Sequence, residues 1–371
     1  MLEHLNIPTQ IHRFRYIFAD GPTHYFQFFS NFHRLSPCLE NDALTNFYIF
    51  LCYLWYTIAI FLFPPHIRGL EDSYHTETES LDQYARRICL PDYFLHWYLL
   101  PLFSSVATCS HDDLRNFPAA YLTDYRKGTL AAHHHTVKNM RELQNKLAEG
   151  ATQKVKHSVL SVTSEGRRVT VRYSHSSGTE SRKTDVTDVF DHAILATSAS
   201  EANRLHEASG DVTSRLVTCP VRITVHHSSK EQEDLRKWTR PSEILLLSTR
   251  GGPKTGVITD STHLHRSGVA VKVTANPNKV TPEDADRSLH KVDINRPLPS
   301  PQSHDLLLAV FNRNFETDLE IWRNGDGNVY LAGGYASAGL PLLEACVRSG
   351  LEAAERIGGE LPFDIIRNTP F

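Results

Sequence analysis

Residues 329–341 read VYLAGGYASAGLP, and the same pattern of small and apolar residues continues to Ala354. The stretch predicts a short buried strand, a glycine-bearing turn and a helix with Pro341 in its first turn, where the missing N–H leaves no hydrogen bond unmade. The free N–H groups and positive dipole end near Gly339 suit an anion or an electron-rich ring. An ordinary strand–turn–helix of an α/β core has the same spacing. One helix face is expected to pack closely on a sheet, with the residues Leu342, Ala345, Cys346, Ser349, Gly350 and Ala353.

Three segments resemble the flavin-containing amine oxidase superfamily of FAD-dependent oxidoreductases. Residues 330–354, YLAGGYASAGLPLLEACVRSGLEAA, are similar to the final FAD-contacting strand and helix of that superfamily. Residues 190–197, FDHAILAT, are similar to one of its strands, and Thr136 to Leu147 resembles the helix segment that comes before it. The resemblance runs from about Leu90 onward, and it implies an FAD-oxidoreductase scaffold.

The chain departs from this family at three places that normally contact FAD. The G-x-G-x-x-G turn that cradles the pyrophosphate occurs nowhere in the sequence, and residues 1–8 resemble a segment downstream of that turn in relatives. Gly334 stands where Asp or Glu is expected, and Lys138-Asn139-Met140 replaces a Gly-Gly pair. The expected fold class is therefore α/β, a degenerate FAD-oxidoreductase (amine oxidase-like) scaffold with an incomplete Rossmann-like lobe and a helical, aromatic substrate cap.

Changes in pattern divide the chain into four parts. Residues 1–130 are aromatic, lack alternation and are expected to form a helical cap or substrate lobe. Residues 131–215 are expected to form a partial nucleotide-binding-like lobe with a short helix and a β-meander. Residues 216–320 are expected to form a substrate-side sheet, including a buried strand at Leu306 to Phe311. Residues 321–371 supply the strand and helix that complete the nucleotide-binding-like lobe.

Composition excludes several classes of protein. The 371 residues carry a net charge of -3, which gives no basic footprint, so no nucleic-acid partner is expected. The six cysteines share no short spacing, which argues against a zinc site or a disulfide framework. The first twenty residues mix charged and apolar side chains, so the protein is expected to be cytoplasmic or membrane-associated and not secreted. Motifs of serine hydrolases, zinc peptidases and P-loop NTPases do not occur.

Phe47 to Phe63 contains no charged residue and ends at Pro64-Pro65. As a helix it would be roughly 25 Å long, at the short limit for crossing a bilayer. Three interpretations stay open: a buried helix that lines a substrate cavity, an interfacial helix in contact with a membrane, and a transmembrane span. Its aromatic residues occur along the whole segment rather than at its ends, unlike an aromatic belt. The cavity interpretation makes Trp55 a wall residue.

Candidate site residues follow partly from the chain and partly from the resemblance. Among His133-His134-His135, alternation on a strand prevents all three from sharing one metal, so no metal site is expected and His135 is a candidate acid or base. Tyr125 follows an aromatic turn and is a candidate for the substrate cavity, with a solvated surface position as the alternative. In relatives the positions of Tyr335 and Ser337 face the flavin ring, and that of Trp322 helps wall the substrate cavity; core packing is the alternative for Trp322. The resemblance also implies weak or vestigial cofactor contacts at Val159, Gly333, Gly334, Gly339 and Leu340.

Three functions are compatible with these observations. The first is a non-redox cyclase or isomerase that holds an apolar terpenoid or polyketide intermediate of secondary metabolism for a pericyclic-type, Diels–Alder-like cyclisation, with no cofactor. The second is an FAD-dependent oxidoreductase that oxidises or desaturates such a substrate. The third is a non-catalytic or truncated relative. The missing FAD motifs favour the first.

Overall fold

A computed structural model describes residues 1–12, 14–20, 24–27, 42–68, 77–130, 134–176, 183–227, 243–252, 256–264, 271–277, 288–312 and 320–362. The strands are β1 (Thr9–His12), β2 (Phe14–Asp20), β3 (His24–Phe26), β4 (His134–Val137), β5 (His157–Glu165), β6 (Arg168–Ser176), β7 (Lys183–Phe190), β8 (Ala193–Leu195), β9 (Thr218–His227), β10 (Glu243–Gly252), β11 (Gly256–Leu264), β12 (Val271–Pro277), β13 (Ser288–Pro297) and β14 (Val329–Leu331). The helices are α1 (Ala43–Leu62), α2 (Leu81–Arg87), α3 (Asp92–Phe94), α4 (Leu100–Ala107), α5 (His111–Arg115), α6 (Ala119–Gly128), α7 (Met140–Leu147), α8 (Ala199–Leu205), α9 (Gly210–Thr213), α10 (Pro301–Phe311) and α11 (Leu343–Arg356).

The largest sheet has seven strands in the order β13-β9-β12-β11-β10-β2-β3. Its neighbours are antiparallel except for β2, which runs parallel to β10 with Ile17 opposite Leu246. The prediction that the chain is helical from residue 1 is wrong for β2 and β3, because both strands extend this sheet. The sheet therefore combines chain from two of the four expected parts.

Helices α1 to α6 build the first hydrophobic core together with one face of this sheet, and α4 and α5 lie against β10 and β11. Ser80 begins α2 with a capping box, since its hydroxyl accepts from the backbone N–H of Gln83 and the Gln83 side chain accepts from the Ser80 N–H. A π-helical turn, Leu95–Leu99, joins α3 to α4 just before Pro101. The proline ring and its missing N–H disturb the i to i−4 ladder at this point.

A second hydrophobic core lies between the antiparallel meander β5–β6–β7, the parallel pair β8–β14 and helices α8 and α10. The prediction of a strand at Leu306 to Phe311 is wrong: these residues are the C-terminal half of α10. Ser300 and Ser303 cap its start and Pro301 occupies its first turn. A short apolar run does not distinguish a buried strand from a buried helix. The capping residues before the run indicate that it is a helix.

Helix α11 confirms the predicted C-terminal helix and the burial of three residues of its predicted face, but it starts later than expected. It begins at Leu343, after Pro341, and buries Ala345, Ser349 and Ala353. A Cβ added at Gly350 would meet nothing within 4 Å, so the prediction that Gly350 packs on the sheet is wrong. The three buried positions recur every four residues, and Gly350 lies one residue round the helix from them.

Helix α1 confirms the helical prediction for Phe47 to Phe63. Its N-cap is Asp42, whose carboxylate accepts from the Thr45 N–H at 2.7 Å. One side of the helix lies in the first core over most of its length, and the buried residues are Asn46, Ile49, Cys52, Tyr56, Ala59 and Ile60. Among the described helices it alone is long and apolar enough to cross a membrane by length and composition.

Candidate functional site

The turn that follows β14 folds back on itself around two glycines. Gly333 has φ +142°, and a Cβ there would lie 3.3 Å from the Tyr335 ring and 3.6 Å from the Thr197 carbonyl oxygen. The Gly333 N–H donates to the Ser349 hydroxyl at 2.9 Å, and the Ala336 N–H donates to the Gly333 carbonyl at 3.0 Å. This closed turn places Tyr335 in the second core, while Leu340, a few residues later, is buried in the first.

A cavity of about 320 Å³, counted with its open mouth, lies where the two cores meet. Helices α6 and α10, the end of β13, the segment after α9 and the glycine turn form its walls. The walls are mostly apolar, and the lining residues are Tyr121, Leu216, Val217, Pro297, Leu298, Pro299, Ser303, Leu307, Gly334, Tyr335, Ser337 and Gly339.

Two hydroxyl groups in this wall have no hydrogen-bond partner among the residues that the structure describes. They are Oη of Tyr335 and Oγ of Ser337, on side chains that are 5% and 3% exposed. Burial raises the pKa of Tyr335, so its hydroxyl is a neutral donor. A buried hydroxyl without a partner costs about 1–3 kcal/mol. A ligand oxygen that reached either hydroxyl would accept its hydrogen bond and remove that penalty.

A third wall hydroxyl, that of Tyr121, is fully engaged. It lies 2.8 Å from Nδ1 of His304, whose Nε2 lies 2.9 Å from the Arg68 carbonyl oxygen. Because a carbonyl only accepts, Nε2 carries the proton and Nδ1 accepts from Tyr121. The Gly339 backbone also hydrogen-bonds to Tyr121. Burial lowers the pKa of His304, which keeps the ring neutral. This chain of hydrogen bonds ties the glycine turn to α6 and α10.

The structure brings together only part of the predicted site. Tyr335 and Ser337 line the cavity with Gly334 and Gly339, whereas Trp322 packs in the second core against His206, with its Nε1–H 3.3 Å from the Asp326 carbonyl oxygen.

Two residues predicted to face the substrate lie elsewhere in the helical layer. The Tyr125 ring packs at 6.4 Å from the Phe103 ring, at the edge of the first core. Trp55 is 38% exposed on α1, and its Nε1–H donates to the Ile88 carbonyl at 2.8 Å. The structure thus places neither side chain among those that line the described cavity.

The histidine cluster is only partly described. His133 and the side chains of His134 and His135 lie outside the described residues, and the backbone of His135 pairs with Ile11 across β4 and β1. Its role as an acid or base stays a prediction. The replaced Gly-Gly pair has a local explanation, because the Asn139 side chain accepts from two N–H groups of α7 and caps that helix.

The residues expected to hold FAD do not form a pyrophosphate cradle as they are arranged. The N–H of Gly333 is taken by Ser349, and a Cβ at Gly334 would lie 3.5 Å from Pro341, which closes the turn. Glu344 puts a carboxylate in the first turn of α11, where a phosphate would otherwise bind. The Val159 carbonyl accepts from the Arg204 guanidinium at 3.0 Å. The Gly333 N–H and the Val159 carbonyl, which the resemblance assigns to phosphate and adenine, are therefore bonded within the protein.

Sequence reasoning missed Tyr121, Ser303 and His304. The start of α10 did carry a recognisable pattern: Ser300 and Ser303 flank Pro301 at capping-box spacing. Recognising that helix would have put Ser303 and Leu307, which both line the cavity, one turn apart on the same face, with His304 next to Ser303. Nothing in the sequence near Tyr121 indicates its partner, because His304 lies 183 residues away in the chain.

No protein-family model and no curated protein sequence matches the chain. Among solved structures it is similar to the CLA-producing fatty acid isomerase from P. acnes, with a TM-score of 0.61 and 10% sequence identity over 96% of this chain and 82% of the isomerase. Native and K252c-bound RebC-10x matches with a TM-score of 0.36 and 12% identity over 61% of this chain and 43% of that one. CabE, an aromatic hydroxylase from angucycline biosynthesis, matches with a TM-score of 0.33 and 12% sequence identity over 62% of this chain and 46% of CabE.

The similarity to the isomerase shows the fold over nearly the whole chain. The protein is a mixed helix–sheet structure with neighbours of FAD-oxidoreductase-like fold, which confirms the coarse fold predicted from residues 330–354 and 190–197.

Proposed function

We propose that the protein is a non-redox isomerase or cyclase for an apolar substrate that carries one oxygen function. The observation that carries this proposal is the pair of unpartnered hydroxyls, Tyr335 and Ser337, in a mostly apolar cavity. Two donors without a partner match one acceptor oxygen, such as a conjugated carbonyl. The apolar walls match the remainder of a terpenoid or polyketide chain.

Such a site can accelerate a rearrangement without an oxidant. Isomerisation and pericyclic cyclisation conserve every atom and electron of the substrate, so the protein has only to hold it in a reactive shape. Orientation alone can supply on the order of 7–11 kcal/mol. Hydrogen bonds from Tyr335 and Ser337 to a conjugated carbonyl oxygen would withdraw electron density, and one such donor is worth about 3–4 kcal/mol when charge develops on that oxygen.

The shared fold offers independent support. The P. acnes protein is described as a fatty acid isomerase, and a fatty acid is an apolar chain with oxygen at one end. The same overall scaffold therefore accommodates an isomerisation on a substrate of this polarity.

The test combines spectroscopy with product analysis. Purified protein should be colourless and should bind no FAD at micromolar concentration. It should then be incubated with linear polyene aldehydes, polyene carboxylic acids and linoleic acid. The products should be separated by chromatography and their molecular masses determined by mass spectrometry. A product of unchanged mass with altered retention, lost in Tyr335→Phe and Ser337→Ala, is the expected result.

One alternative has a specific observation in its favour. The FAD-oxidoreductase-like fold favours a flavoenzyme that oxidises or desaturates the same kind of substrate. If FAD bound, it would supply hydride acceptance, and the family resemblance assigns its contacts to Val159, Gly333, Gly334, Gly339 and Leu340. A stoichiometric yellow flavin released on denaturation, with a product lighter by two hydrogens, would replace our proposal with this one. Failure of every probe to bind or react would leave a non-catalytic relative.

A further inference from the structure

Helix α1 carries an unpartnered apolar face on the side opposite the first core. Leu44, Phe47, Leu51, Leu54, Ile58 and Phe61 recur at steps of three and four residues and are all exposed, by 40–79%. We call these six residues the outer face. The helix is about 30 Å long, so the outer face is a continuous stripe rather than scattered single residues, and such a patch marks an interaction site.

We propose that the outer face docks on a phospholipid bilayer, with α1 lying in the plane of the membrane surface. No charged residue occurs between Ala43 and Phe63, so the face matches uncharged acyl chains. The inference does not depend on the proposed function.

Hydrogen bonding favours lipid over a protein partner. Protein interfaces carry about one hydrogen bond per 100–200 Å², and the outer face itself presents only hydrocarbon. Neighbouring polar groups on α1 are already bonded within the protein: the Trp55 Nε1–H donates to the Ile88 carbonyl, and the Thr57 hydroxyl donates to the Tyr53 carbonyl at 2.8 Å. A protein partner would find no donor or acceptor here, whereas acyl chains require none.

An exposed positive charge near the second half of α1 complements lipid phosphates. The Trp55–Ile88 hydrogen bond brings the end of α2 to this face, and Arg86 there is 80% exposed. Asp82 accepts from both Arg86 (2.6 Å) and Arg115 (2.7 Å), so two cations share one carboxylate. Arg86 thus offers an exposed cation two residues before Ile88, the residue that Trp55 contacts, and exposed cations near aromatic side chains are typical of headgroup depth.

The packing of α1 excludes a transmembrane span. Buried residues extend from Asn46 to Ile60 and contact the same core as Tyr84 and Leu95. In a transmembrane span, the buried side of α1 would lose its contacts with the first core and face lipid instead. Only the outer face is available, so α1 can enter the membrane sideways and to the depth of one helix face.

The experiment uses vesicles of phosphatidylcholine and purified full-length protein. Wild-type protein should float with the vesicles in a density gradient at high salt, since apolar contact is not screened. Leu51→Glu and Ile58→Glu should each weaken binding more than tenfold, because a carboxylate enters the acyl boundary. Val155→Glu, at a 71% exposed apolar position before β5, is the matched control and should bind like wild type. Circular dichroism confirms that each variant is folded.

A depth measurement tests the orientation without changing the outer face. Brominated phosphatidylcholine should quench part of the tryptophan fluorescence, and Trp55→Phe should remove the quenched part. Absence of vesicle binding by folded wild-type protein overturns the proposal. So does binding that Leu51→Glu leaves intact, or protein that resists extraction by alkaline carbonate as a span would. A concentration-dependent dimer in the analytical ultracentrifuge that Leu51→Glu dissociates would assign the outer face to a second copy instead.

Discussion

Tyr121→Phe and Tyr335→Phe each remove one hydroxyl from the wall of the same cavity, yet we expect different effects on stability. The first leaves Nδ1 of His304 buried without its partner and removes the contact with the half-buried Gly339 backbone. A buried orphaned group costs about 1–3 kcal/mol, so we expect Tyr121→Phe to lose roughly that much unfolding free energy. Tyr335→Phe removes a hydroxyl that has no partner among the described residues, and its expected effect is a gain of up to about 3 kcal/mol.

Equilibrium unfolding in urea, followed by far-UV circular dichroism, separates the two cases. The midpoint should fall for Tyr121→Phe and stay or rise for Tyr335→Phe, with the slope m unchanged in both. Since the two substitutions delete the same atom from the same residue type, differences in the unfolded state largely cancel. Equal losses in the two variants, or a larger loss in Tyr335→Phe, would falsify the hydrogen-bond assignment on which the site rests.

Two further outcomes follow from packing and from protonation. Gly350→Ala should raise the unfolding free energy by about 0.5–1 kcal/mol through helix propensity, whereas Ala353→Leu, on the buried face of α11, should lower it by about 1–3 kcal/mol; thermal unfolding of both variants checks the order. Burial lowers the pKa of His111 from its usual 6.5 to about 4, so between these values the unfolded chain binds a proton that the folded protein does not. Stability should therefore fall by roughly 3 kcal/mol as the pH drops from 6.5 to 4; a pH series of urea midpoints in which His111→Gln keeps the same slope would contradict this.

The features that could be predicted from sequence are those set by neighbouring residues. The glycine turn follows from a strand end, two glycines and a helical repeat, and the structure needs Gly333 because a side chain there would press on the Tyr335 ring. The meander around β6 and the apolar helix α1 likewise follow from periodicity.

The features that could not be predicted depend on contacts between distant parts of the chain. Helical spacing placed Gly350 on the small-residue face. Which side of α11 is buried, however, depends on how the sheet packs against the helix. The end of α10 has an apolar run that suits a strand or a helix equally. The hydrogen bond of Tyr121 depends on a histidine that has no sequence relation to it.

The two hydroxyls of the cavity connect stability with ligand binding. Phenylalanine at position 335 and alanine at 337 would fill nearly the same space and leave no donor unpaired, so packing alone does not account for either oxygen. The folded protein instead carries a penalty of about 1–3 kcal/mol for each hydroxyl. An acceptor oxygen that bonds to both recovers this free energy on binding, and it recovers more as negative charge grows on that oxygen. The same pair of groups would therefore select an oxygenated substrate over a pure hydrocarbon and favour the polarised state over the ground state.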